Sequence, residues 1–187
     1  MSDNFNGLLS EEEASFLAMY EEDLEAIPAL SAKDRGKYLE KAKKGNDDAR
    51  GLLIQDFMHT ALDVTHMYAG QGILLQDLIG EGNLALVSFF KNVPPELTTA
   101  DLEEKVTEEL VRVYDDLIKA ASDEEKEQAK IIKKTEQVAK AAKAMSTELG
   151  RKVTVDELHE KTKISKKQIT DALKNTANKI EGLKASE

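Results

Sequence analysis

Three histidines, His59, His66 and His159, are the side chains from which a metal or acid-base centre would have to start, because the chain has no cysteine. His59 and His66 lie seven apart, so on a helix they share a face two turns apart. Such a pair holds a metal only with further ligands, and no His-Glu-x-x-His pattern supplies them. Both read as ordinary helix residues at the margin of an apolar stripe. Without cysteine there is no disulfide, thiolate or cysteine-ligated zinc. Gly80-Glu81-Gly82 lacks the later Gly, Lys and Ser/Thr of a phosphate loop. Glu11-Glu12-Glu13 and Glu103-Glu104 read as solvated helix carboxylates. No nucleophile, base and electrophile converge. The sequence therefore predicts no enzyme, no cofactor, no metal and no small-molecule substrate.

What remains is charge. The net charge of −10 is split unevenly: residues 1–125 hold 11 Lys/Arg against 27 Asp/Glu, and residues 126–187 hold 15 against 9. An acidic body repels nucleic acid, whereas a basic unit can touch phosphate. The plainer reading of the basic residues is a solvated helix face. Hydrophobic residues at 41% and charged residues at 33% make a globular chain with a strongly hydrated surface. Met1-Ser2-Asp3-Asn4 opens without the basic and apolar regions of a signal peptide. No apolar run approaches the roughly 20 residues that span a bilayer. The expectation is a cytoplasmic protein with no membrane partner.

The elements that must position these charges are helices. Alternating β-branched runs are missing, and the three prolines, Pro28, Pro94 and Pro95, act as punctuation. A first helix is predicted over 8–27 with Ser10 as N-cap, and a second over 34–44, broken by Gly45-Asn46. The third, over 47–69, carries Leu53, Phe57, Ala61, Leu62 and Thr65 at buried-stripe spacing. The fourth runs from about 75 to 90. Thr99-Ala100-Asp101 caps a fifth through Ala121, with Leu110 and Tyr114 turned inward. Ser122-Asp123-Glu124-Glu125 reads as a joint or a fresh N-terminus. A Lys/Ala-rich helix follows to Leu149. Two short helices, capped by Thr154 and Ser165, flank the turn Thr162-Lys163-Ile164 in helix-turn-helix spacing, the second reaching about Asn178. By spacing alone an ordinary helical hairpin is the plainer reading. The fold class is all-α, with domains at 1–121 and 122–187.

Two stretches carry a family resemblance. Gly45-Asn46-Asp47-Asp48, a long helix, the corner Tyr68-Ala69-Gly70-Gln71-Gly72, and Asp77-Leu78-Ile79-Gly80-Glu81-Gly82-Asn83 resemble the core-polymerase-binding segment of the main bacterial RNA polymerase sigma-factor family. Glu148-Leu149-Gly150-Arg151 through Thr154, with Ile164 to Ile169, is similar to the small three-helix domain that follows in that family. The resemblance implies a sigma-like helical bundle followed by a helix-turn-helix-like domain. It also implies that RNA polymerase core is the partner, through the clamp helices of its largest subunit. In that role it places Asp77, Leu78, Glu81 and Asn83. Asp77 and Glu81 are i, i+4 neighbours, and an acidic face suits a basic partner surface. Without the resemblance, Asp77 reads as a helix N-cap.

The departures are as informative. The family follows its core-binding helix with an aromatic, basic segment that captures unpaired bases. Here there is no Trp, Tyr114 stands alone between Lys91 and Glu125, and acids outnumber bases. Positions corresponding to duplex contacts fall near Lys130 and Lys133. The sequence predicts loss of promoter melting, no domain for the upstream promoter element, and only weak DNA contact through Lys163, Lys166, Lys167 and Lys174. Three readings are open: a divergent sigma factor, a non-DNA-binding interaction protein such as a decoy or regulator of a sigma factor or polymerase, and a helical scaffold of sigma ancestry.

Overall fold

The computed structural model describes residues 9–184, over which the chain is all-α. The elements are α1 (Glu11–Glu25), α2 (Ala32–Lys43), α3 (Asp47–Tyr68), α4 (Leu75–Lys91), α5 (Leu102–Leu149), α6 (Val155–Thr162) and α7 (Lys166–Asn175). The expected helix start at Leu8 and the reading of Met1 to Asn4 lie outside the described residues. The chain forms two compact units, one ending at Ala121 and the other beginning at Ser122.

In the first unit the polar residues that start helices do so by accepting orphan backbone N–H groups. Ser10 forms a capping box with Glu13, Ser31 accepts from the Asp34 N–H, and Asn46 from that of Ala49. Asp101 N–H donates to Thr98 Oγ1 just before α5. The main core gathers Leu39, Leu53, Phe57, Leu78, Phe90 and Tyr114 from α2 through the first part of α5. Phe57 and Phe90 meet at 5.6 Å between ring centres. Asp56 is buried in this unit. It accepts from Leu30 N–H at 2.7 Å and from Arg35 Nε at 2.5 Å, tying α2 and its entry loop to α3. A separate, smaller cluster seats α1: its Leu17 and Leu24 pack with Leu62, Leu75 and Ile79. Full burial of one leucine is worth about 1.5–3 kcal/mol, and the partly buried Phe16 and Tyr20 add to the two leucines in seating the helix.

Gly82 is dictated by Tyr114. Thr65 Oγ1 donates to Ala61 O, so it accepts from the Tyr114 hydroxyl at 2.7 Å. That places the hydroxyl where a Cβ on residue 82 would stand, 2.1 Å away. Tyr114 is fully buried, as its place in the apolar stripe predicted.

The second unit packs the later part of α5 against α6 and α7 around Val138, Ala142, Leu158, Ile169 and Leu173. Thr154, the predicted cap of α6, forms a capping box with Glu157, and Ser165 caps α7. Lys163 turns the chain in the left-handed region at φ 61. α7 ends at Asn175, three residues before the expected Asn178. Positive φ at Ala177 and Asn178 then leads the chain back over α5, where Ile180 and Leu183 are buried and Leu183 forms an isolated parallel bridge with Val153.

One expected break is absent. α5 runs through Ser122 to Glu125 without interruption. The acids that read as a helix start instead support a helix interior, with Asp123 to Lys126 and Glu127 to Lys130 paired at i, i+3.

Candidate functional site: a docking face on α4

α4 divides cleanly by face. Leu75, Leu78, Ile79, Ala85, Leu86 and Phe90 are buried, while Asp77, Gly80, Leu84 and Val87 are exposed. Asp77 and Glu81 lie together on the rim of a depression of about 390 Å³, lined also by Ile73, Gln76, Gly80, Leu84 and Leu117. Leu84 keeps 61% of its surface exposed and Val87 46%. Two adjacent large aliphatic side chains left in water beside two carboxylates describe a surface suited to contact. A second hollow on the far side of Val87 is lined by Asp47, Arg50, Gly51, Ile54 and Lys91.

The four residues placed here by resemblance do not all face out. Leu78 is fully buried in the main core, one residue on from Asp77 and therefore about 100° around the helix. Its side chain holds α4 in place and is not part of the contact surface. Asn83 is half-buried on the flank that meets α1, where Oδ1 accepts from the Tyr20 hydroxyl at 3.1 Å. Asp77 is not an N-cap, because α4 begins at Leu75 after Leu74, which offers no side-chain cap. The missing cap comes from another helix: Glu13 Oε1 accepts from Leu75 N–H at 3.1 Å. Glu13 thus serves two helix starts at once. The backbone N–H groups of Ser10 and Leu75, with the Ser10 hydroxyl, hold its carboxyl below the usual range.

The chain is 30% identical to the RNA polymerase sigma factor SigA of a Bacillus species over 69 residues, 37% of this chain and 18% of that protein. It is 32% identical to SigA of Clostridium acetobutylicum over a segment of the same coverage. It is 31% identical to the sigma factor RpoS of Coxiella burnetii over 78 residues, 42% of this chain and 22% of that protein. This is partial similarity to sigma factors. The match spans about a fifth of those relatives' length, and no protein-family profile matches the chain.

The lysines expected at a nucleic-acid surface are all exposed, but they are not equivalent. Lys166 is paired with Asp156 at 2.5 Å, and Lys161 with Glu148. Lys130 is paired with Glu127. Lys163, Lys167, Lys174 and Lys133 enter no ion pair among the described residues. Lys167 lines a cleft of about 370 Å³ between α5 and α7 with Lys134, Thr135, Ser165 and Gln168, but Glu127 and Asp171 line it too. The cleft therefore carries little net field for a phosphate.

His159 Nδ1 lies 2.7 Å from Ile164 O, across the helix-turn-helix turn. Among the described residues no three His, Asp or Glu side chains are grouped as a metal site requires, and no helix is long and apolar enough to cross a membrane.

Proposed function

We propose that this chain is a sigma-like transcription protein that docks on RNA polymerase core through the exposed face of α4 and does not melt promoter DNA. The observation that carries the reading is the pairing on one face of Asp77 and Glu81 with the solvent-exposed Leu84. It lies in a stretch that resembles the polymerase-binding segment of sigma factors. The partner in this reading is the clamp of the largest subunit, where the two carboxylates would be met by basic groups. The protein has no catalytic role in this reading.

Loss of melting rests on Tyr114. Base capture needs exposed aromatic platforms, worth roughly 1–3 kcal/mol per base. The sole aromatic residue between Lys91 and Glu125 is fully buried and hydrogen-bonded to Thr65. Around it, Glu103, Glu104, Glu108, Glu109 and Asp115 make the start of α5 repulsive to phosphate. The same observation favours an interaction protein, such as a decoy or regulator at polymerase, over a promoter-reading sigma factor. DNA contact is weak and confined to the second unit, with Kd of about 10⁻⁴–10⁻⁶ M.

The test is a binding assay with core polymerase. Asp77→Ala with Glu81→Ala should weaken the complex by about 1 kcal/mol or more, above the median for exposed ion pairs, with helicity unchanged. Unchanged binding rejects the assigned face. Open-complex formation on a promoter with core polymerase would reject the loss of melting.

A further inference from the structure

α1 grips α4 at two points in parallel register. Glu13 accepts from the Leu75 backbone at the start of α4, and Tyr20 donates to Asn83 two turns further on. Leu17, between them in sequence, packs in the same small cluster as Leu75 and Ile79. The two hydrogen bonds link residues 62 and 63 apart, so the helices advance together. Phe16 stacks near Tyr20 at 6.4 Å, fixing the ring that carries the hydroxyl.

The consequence falls on Asn83. A side-chain amide has an acceptor end and a donor end, and holding one end decides which end is offered outward. Here the acceptor end is taken by Tyr20. Among the described residues Nδ2 has no hydrogen-bond partner, and it is not one of the buried side-chain atoms left unpartnered, so it keeps some contact with solvent. Burial pushes the Tyr20 hydroxyl above its ordinary pKa, which keeps it a protonated donor at neutral pH.

We propose that Tyr20 is a positioning residue for the docking face: by holding Oδ1 of Asn83 it turns the amide NH₂ toward the partner, which meets it with an acceptor, a carboxylate or a backbone carbonyl. The proposal rests on the docking of α4 on polymerase. It gives α4 carboxylate acceptors at Asp77 and Glu81 and, about 120° around the helix from Asp77, a neutral donor at Asn83 on the flank beside α1. A partner surface would then need cationic groups toward the start of α4 and an acceptor about two turns along.

The experiment measures Kd for core polymerase with the full chain and three variants: Tyr20→Phe, Asn83→Asp, and Asp77→Ala with Glu81→Ala. Tyr20→Phe keeps the ring and its packing but frees the amide. It should raise Kd about 3- to 10-fold, the range of one lost net hydrogen bond. Asn83→Asp keeps the acceptor for Tyr20 and removes the outward donor, and should raise Kd at least 10-fold. A purely structural role for Tyr20 would move the thermal midpoint and leave Kd of the folded chain alone, so both are recorded. Unchanged or tighter binding in Tyr20→Phe overturns the proposal, as does Asn83→Asp binding as well as the parent. If those results come with weakened binding in the Asp77/Glu81 variant, the docking face stands without this role for Tyr20. If that variant also binds normally, the docking reading itself falls.

Discussion

At the scale of single residues, the side chains that matter are defined by what they touch. Gly82 is needed because the Tyr114 hydroxyl fills its Cβ position, so Gly82→Ala should destabilise the first unit by about 1–3 kcal/mol, the range for overpacking. Adding Tyr114→Phe should recover part of that loss in urea unfolding, because it removes the clashing oxygen. Failure to recover would mean that the crowding lies elsewhere. Asp56 is a second such residue, with 1% of its side chain exposed. Asp56→Ala strips acceptors from Leu30 and Arg35 and should cost about 3 kcal/mol, at the low end for breaking a buried pair because Arg35 keeps some contact with water. The sequence placed Tyr114 in the core but did not reveal its contact with Gly82. Leu78 shows the opposite limit. A resemblance transfers a motif as a string, and adjacent letters on a helix face different ways, so Leu78 came along with Asp77 although only one of them meets water.

At the scale of elements, three helix starts were legible because they are local, whereas α2 begins at Ala32 after Ser31, two residues before the expected start. Ser10, Thr154 and Ser165 each cap within three residues, and Pro94-Pro95 follows the end of α4. The α6 start also carries a pH dependence. Glu157 is held down to about 2 by Arg151 and by the Thr154 backbone. Its folded pKa lies below its unfolded value, so the stability it lends is present above the ordinary carboxylate range. That stability is lost as pH falls from about 4.5 toward about 2. Glu157→Gln should flatten the acid limb of the second unit's unfolding over that window, followed by amide exchange or NMR of α6. An unaltered acid profile would assign the loss to other groups. What periodicity did not reveal was the cap on α4. It is supplied by Glu13, 62 residues earlier, and no local pattern encodes a pairing at that distance. The continuity of α5 was missed for a related reason. Ser122-Asp123-Glu124-Glu125 has the composition of a helix start, and only the lysines that follow at i+3 show that it is a helix interior.

At the scale of the molecule, the chain joins an acidic unit with a buried aromatic to a basic unit whose cations are partly neutralised at home. Lys130, Lys161 and Lys166 are already paired. DNA binding should therefore be weak, non-specific and steeply salt-dependent, as fluorescence anisotropy on duplex and bubble DNA will show. Tight, sequence-selective bubble binding by the chain alone would contradict this. The central claim, however, is docking through α4, and the exposed leucine on that face tests it most directly. Leu84 is 61% exposed in the free chain, so Leu84→Ser should leave the unfolding free energy from urea titration within about 0.5 kcal/mol of the parent. If the face is buried against polymerase core, the lost apolar contact should raise Kd about 10-fold. Met19→Ser, at a residue 60% exposed on α1, serves as the control and should leave Kd unchanged. The account predicts a selective loss of core binding in Leu84→Ser. Equal Kd for Leu84→Ser and the parent would contradict it.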